Sequence, residues 1–178
     1  MSSLQAVFID RDGTIGGTGH FIHPRQFELF PGVQEALLLL KKHRIKVIAF
    51  TNQHNIAKGL ATEQEFMEQF ESYGFDASYI CPHEPEEGCG CHKPRPGMLH
   101  LAAEEHQLDL TNCAVIGDVG STDMLAAAAV GARKVLVKTG WGQKSLDTYR
   151  HKWYDQASPD YIADDLMDGA RWLIKDLL

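Results

Sequence analysis

The sequence predicts an α/β fold, a doubly wound three-layer sandwich around a mostly parallel sheet. Short apolar, β-branched runs alternate with amphipathic stretches along the whole chain. Residues able to do chemistry stand just after several of those runs, where ligands gather in such sheets. The 178 residues, 44% of them apolar, suit one domain spanning 1–178 with its own core.

The elements follow in order. Ala6–Asp10 is apolar, ends on a carboxylate and meets the turn residues Asp12 and Gly13, which makes it a buried strand. Residues 14–30 hold Gly16, Gly17, Gly19 and Pro24 without a steady period and read as a loop or flap. After Pro31, the spacing of Val33, Ala36, Leu37 and Leu40 gives a helix reaching His43. Lys46–Phe50 is the second strand. Thr62 opens a helix through Tyr73 with Phe66, Met67 and Phe70 on one face, and Gly74 stops it.

Ala77–Cys81 is the third strand and is followed by a polar, proline-rich stretch to Pro96. Helix at Gly97–His106, strand at Ala114–Gly117, helix at Ser121–Val130, strand at Lys134–Val137 and a closing helix at Ala163–Leu177 complete the pattern. No interval is long enough for a large separate cap domain, so the flap and the segment 81–93 are the expected walls of any pocket.

Composition narrows the partners. A formal charge of −7 leaves no basic stripe for a nucleic-acid backbone or an anionic bilayer, and no apolar run approaches a membrane span. Nucleic acid and membrane are therefore not expected, and a monomer is. The first fourteen residues lack the pattern of a secretory signal, which makes the cytoplasm the expected location.

Four features carry chemistry. Asp10 and Asp12 flank Arg11 right after the first strand; carboxylates so close need a cation or a shared proton. With magnesium, a hard ion that prefers oxygen ligands, one carboxylate can bind metal and attack phosphorus while the other manages the proton of the leaving oxygen. Thr51, Asn52 and Gln53 follow the second strand and can hold phosphate oxygens. Lys93 offers a point charge from a short loop. Asp118 ends another strand and can complete the metal's oxygen shell, with Asp123 holding nearby donors. Each feature alone also reads as ordinary turn or cap chemistry.

Cys81, His83, Cys89 and Cys91 form a separate group. Three thiols and one imidazole on a Pro- and Gly-rich loop suit tetrahedral zinc with no position left open, hence a structural Zn2+ rather than a catalytic one. His20, His23, His43, His54, His100, His106 and His151 are read as surface or loop residues, and Trp141 as either a pocket wall or a loop aromatic.

Taken together, D-x-D-G-T at Asp10–Thr14, the strand ending in Thr51, Lys93 before Pro94, and G-D-x-x-x-x-D at Gly117–Asp123 resemble the haloacid dehalogenase (HAD) superfamily of phosphatases over roughly residues 5–140. The resemblance implies Asp10 as nucleophile and Asp12 as general acid and base, with Thr51 and Lys93 on the phosphoryl group. It also implies Mg2+ held by Asp10, Asp118 and the backbone carbonyl of Asp12. The C-x-H and C-x-C loop running into K-P-x-P-G-M, with T-N-Q-x-x-I-A-x-G at Thr51–Gly59, is similar to the branch of histidinol phosphatases and heptose-bisphosphate phosphatases. In known members of that branch an arginine precedes the motif lysine and a basic residue follows the metal-binding aspartate; here those places hold His92, which the resemblance puts in contact with substrate, and Val119. The implied activity is Mg-dependent hydrolysis of a small phosphorylated metabolite through an aspartyl-phosphate. Its alternatives are phosphoryl transfer to another acceptor and a non-catalytic module that binds a phosphorylated ligand or a protein.

Overall fold

Successive side chains of a strand point to opposite faces, and all four residues of β1 (Ala6–Ile9) are buried. Such a strand needs a packed layer on each side. The computed structural model, which describes residues 3–177, supplies both layers. Beside β1 lie β2 (Lys46–Asn52), β3 (Ala77–Cys81), β4 (Cys113–Gly117), β5 (Arg133–Val137) and β6 (Tyr161–Ala163), in the spatial order β3-β2-β1-β4-β5-β6. Every neighbouring pair is parallel.

One face carries α1 (Val33–Lys42), α2 (Glu63–Tyr73) and α7 (Leu166–Ile174). Leu37, Phe66, Phe70 and Leu173 from these helices meet Val7, Ile9, Val47 and Val135 of the sheet. The other face carries α3 (Gly97–His106), α4 (Leu125–Val130) and α6 (Tyr154–Ala157). There Met98, Leu99, Ala127 and Trp153 cover Phe8, Phe50 and Val115. The predicted three-layer sandwich is thus the observed one, with a sheet that is wholly rather than mostly parallel. No large cap stands over it among the described residues.

Several elements differ from the sequence reading. The second strand runs to Asn52, so Thr51 and Asn52 are its last residues, paired with Ile80 and Cys81 of β3, rather than the turn after it. Ala163 belongs to β6, and the closing helix begins at Leu166, where Asp165 accepts from the Asp168 amide and caps it. A short helix α5 (Gly142–Leu146) and α6 had no periodicity long enough to be seen. The predicted helix over 121–130 opens with a π-helical turn at Gly120–Met124, a deviation common at functional sites.

Helix α2 is closed at its start by a reciprocal capping box between Thr62 and Glu65. Its inner face is Phe66, Gln69 and Phe70, while Met67 is 43% exposed. A polar residue takes the inward place because it has a buried partner, described below.

The strand order fixes where ligands can bind. From β1 the chain winds outward through β2 and β3, then returns to the other side of β1 for β4, β5 and β6. The crevice of this doubly wound sheet therefore opens beyond the carboxyl ends of β1 and β4. Asp10 follows β1 and Asp118 follows β4.

Candidate active site

The backbone amide of Asp10 donates to the Ile116 carbonyl at 3.0 Å, which extends the β1–β4 ladder by one step and aims the next side chains into the crevice. Lys93, 3% exposed, brings its Nζ to 2.9 Å from Asp10 Oδ1 and 2.7 Å from Asp123 Oδ1, and also donates to the Phe50 carbonyl at 3.1 Å. Burial disfavours the ammonium, but Asp10 and Asp123 outweigh it and hold the Lys93 pKa above its ordinary value. The other oxygen of Asp123 accepts from the Val119 amide at 3.2 Å. Both of its oxygens are thus engaged in holding the site together.

Asp118 is fully buried and accepts from the Thr14 hydroxyl at 3.1 Å and from the Trp141 amide at 2.8 Å. Gly13, at φ 84°, passes so close that a Cβ there would lie 2.1 Å from Asp118 Oδ2. The D-x-D-G turn therefore requires glycine both for its left-handed backbone and for room beside this carboxylate. One oxygen from each of Asp10, Asp118 and Asp123 lies within 4.8 Å of the others.

Asp12 faces the same crevice from the side. Its Oδ1 accepts from Arg11 Nη1 at 2.7 Å and its Oδ2 from Gln53 Nε2, also at 2.7 Å; the same Gln53 nitrogen donates to the Thr51 hydroxyl at 2.9 Å. Burial pushes the Asp12 carboxyl up to about 6, against the downward pull of Arg11. A carboxyl titrating there can both give and take a proton near neutrality. Asn52 turns its amide to the Lys93 backbone, donating from Nδ2 at 3.2 Å and accepting at Oδ1 at 2.9 Å, so it secures the lysine's loop.

These groups open on a cavity of about 320 Å³ that contains Asp10, Asp12, Thr51 and Lys93. Gly19 and Phe21 reach it from the flap, Pro85 and His92 from the segment 81–93, and His54 and Asn55 from the turn after β2. The flap and the segment 81–93 each contribute residues to its lining. His54, read from sequence as a surface or loop residue, sits in the three-residue turn His54–Ile56 after β2 and lines the cavity. Trp141 lines a neighbouring hollow instead, next to Tyr149 and Lys152.

The second cluster sits at the end of β3. Cys81 Sγ is 3.6 Å from Cys89 Sγ and 3.5 Å from His83 Nδ1, which is 3.2 Å from Cys91 Sγ. Zinc bonded to thiolates and imidazole in a tetrahedron would set neighbouring donors about 3.5–3.8 Å apart. The four donors are arranged at close to that size.

Known proteins resemble this chain in sequence and in fold. A family profile described as HAD-hydrolase-like matches residues 90–169. A D-glycero-beta-D-manno-heptose-1,7-bisphosphate 7-phosphatase of Pseudomonas putida is 37% identical over 182 residues, covering 96% of this chain and 100% of that protein. The protein of the same name from Photorhabdus laumondii is 36% identical over 154 residues, 77% of this chain and 82% of that one. The chain belongs to the HAD-like phosphatase family. A crystal structure of the D,D-heptose 1,7-bisphosphate phosphatase of B. bronchiseptica, with magnesium and phosphate, matches this phosphatase with a TM-score of 0.83 and 29% identity over 97% of this chain and 99% of that one.

The carboxylates of this phosphatase fit magnesium on their own chemistry. Three buried aspartates, Asp10, Asp118 and Asp123, stand together with a single ammonium, that of Lys93, which pairs with Asp10 and Asp123. Burial, with Asp10 and Asp123 nearby, lifts Asp118 well above the carboxylate range, and burial with Asp10 pushes Asp123 up to about 7 despite Lys93. A divalent cation bound by oxygen ligands relieves that repulsion.

Two participants were not legible in the sequence of this phosphatase. Arg11 and Gln69 are 58 positions apart and meet inside the protein, Nε to Oε1, at 2.9 Å. The one local signal for Arg11 was its place between two aspartates, which by itself reads as an exposed countercharge.

Proposed function

We propose that this phosphatase hydrolyses a phosphorylated sugar, with Asp10 as nucleophile and Asp12 as general acid and base. The placement of Asp10 carries the reading: its carboxylate lies at the switch point of the sheet, against Lys93, within reach of Asp118, on a cavity that Asp12 also faces. Asp10 attacks phosphorus in line, and the bond to the leaving oxygen breaks as Asp12 delivers its proton there. The Lys93 ammonium and the Thr51 hydroxyl stabilise the non-bridging oxygens. Asp12, now ionised, takes a proton from the water that attacks the aspartyl-phosphate, which releases phosphate and restores Asp10. Magnesium, bound by Asp10, Asp118 and the backbone carbonyl of Asp12, would supply further positive charge to the phosphoryl oxygens. Asp123 keeps Lys93 in place, and Asn52 keeps its loop in place.

The leaving group is a polyol in this reading. Apart from Lys93, the cavity mouth offers amides and imidazoles, from Asn52, Gln53, Asn55, His54 and His92. Such groups exchange hydrogen bonds with sugar hydroxyls in both directions. The relatives' names point the same way, to a heptose carrying phosphate at positions 1 and 7. A second phosphate would meet His54 and His92 rather than a permanent cation. Phosphate release from heptose 1,7-bisphosphate, sugar monophosphates and histidinol phosphate, compared by kcat/KM, tests this: the sugars lead, and preference for histidinol phosphate would refute the sugar assignment.

Structural zinc on Cys81, His83, Cys89 and Cys91 belongs to the same proposal, supported by one donor atom from each lying within 4.8 Å of the others. Reduced thiols suit the cytoplasm, where we place the protein as a monomer engaged in carbohydrate metabolism. No helix is long and apolar enough to cross a membrane among the described residues.

A further inference from the structure

We infer that Arg11 is a positioning residue that sets Asp12 for proton delivery and ties it to the flap, a role resting on Asp12 being the general acid. The guanidinium is 0% exposed, yet none of its nitrogens is idle. Nε donates to Gln69 Oε1 on α2 at 2.9 Å, Nη1 to Asp12 Oδ1 at 2.7 Å, and Nη2 to the Ile22 carbonyl in the flap at 3.0 Å. Its flat faces lie against Phe27, 3.9 Å from the ring centroid, and Phe66, at 4.8 Å. Gln69 doubles the tie by donating to the Pro24 carbonyl at 2.7 Å.

The geometry decides which oxygen of Asp12 does the work. A permanently charged donor on Oδ1 disfavours a proton there, so the proton is carried by Oδ2, whose partner is the neutral Gln53 amide. The rigid fork also transmits flap position, because the Asp12 and Ile22 partners share one planar group. Gly19 and Phe21, in the same flap, line the cavity. A substrate that settles the flap thereby settles the acid. A lysine could neither span three partners nor lie flat between two rings.

Proton delivery matters most when the leaving group is a poor one, which separates this role from simple packing. Leaving-group release in a single turnover is compared for an alkyl phosphate and for p-nitrophenyl phosphate, whose phenolate leaves without help, in wild type, Arg11→Met and Asp12→Asn. Arg11→Met is expected to lose about 100-fold on the alkyl phosphate and less than about 10-fold on the aryl one, within the range of general acid catalysis. Equal losses on both substrates in folded Arg11→Met, while Asp12→Asn discriminates, overturn the positioning role alone. Equal losses in Asp12→Asn remove the acid assignment, and the role of Arg11 falls with it. Should Arg11→Met not fold, as judged by circular dichroism, Gln69→Met frees Nε and keeps the charge. It is expected to discriminate in the same direction by a smaller factor, and no discrimination there overturns the inference.

Discussion

Asn52 and Lys93 exchange two hydrogen bonds, side-chain amide to backbone carbonyl at 3.2 Å and backbone amide to side-chain carbonyl at 2.9 Å. The end of β2 is thereby clamped to the loop that delivers the ammonium to Asp10. Asn52→Ala is expected to lower kcat about tenfold to a hundredfold, because Lys93 loses its register. Its stability should fall by only about 1–2 kcal/mol, the usual effect of losing partly buried hydrogen bonds. Denaturant melts beside steady-state kinetics check both, and unchanged kcat would deny the clamp a part in catalysis.

Metal-free protein should become less stable as pH rises. Asp12 and Asp123 titrate near 6 and 7 in the folded state, whereas an aspartate in the unfolded chain titrates near 4. Between about pH 4 and 7 the folded protein therefore keeps protons that the unfolded chain has released, and stability falls as pH climbs through that window. After chelation the melting temperature should drop by several degrees from about pH 5 to about pH 8, and magnesium should flatten the trend. A rise over that range, or no effect of magnesium, would contradict the crowded-carboxylate account.

Gly13→Ala places a methyl group 2.1 Å from Asp118 Oδ2 at a backbone φ of 84°. The left-handed conformation alone costs an L-residue about 1–2 kcal/mol, and the clash displaces Asp118 besides. The magnesium concentration giving half-maximal activity should rise at least about tenfold, a factor that corresponds to 1.4 kcal/mol. An unaltered magnesium titration would show that Asp118 does not depend on this turn.

Zinc should be found at one ion per chain by elemental analysis, and Cys89→Ser should lose it. The loop has few apolar residues of its own, so removing zinc should lower the melting temperature and, through Cys91, His92 and Lys93 in sequence, slow turnover. Full activity and unchanged stability without zinc would leave the cluster with no structural part.

Much of this was legible in the sequence, for identifiable reasons. Strands such as β1 and β4 are continuous apolar runs because both faces are buried, and the helix stops at Gly74 and Gly131 are left-handed caps that only glycine takes easily. The candidate site residues stood out because doubly wound sheets put chemistry at strand ends. What escaped depends on long-range partners or on very short elements. The three residues of β6 lie within a polar stretch and gain their strand from β5, not from their own pattern. Met67 reads as a core residue, yet Gln69 takes the inward place because its partner Arg11 lies inside. The cavity position of His54 follows from a turn that its local sequence does not announce.

The central claim is that Asp10 carries the phosphoryl group. Protein quenched in acid within one turnover and analysed by peptide mass spectrometry should show one added phosphoryl group on the peptide containing Asp10, only with magnesium present, and none in Asp10→Asn, which should also lose turnover while keeping its fold. An unmodified Asp10 in a protein turning over at full rate, or turnover retained by Asp10→Asn, would contradict it.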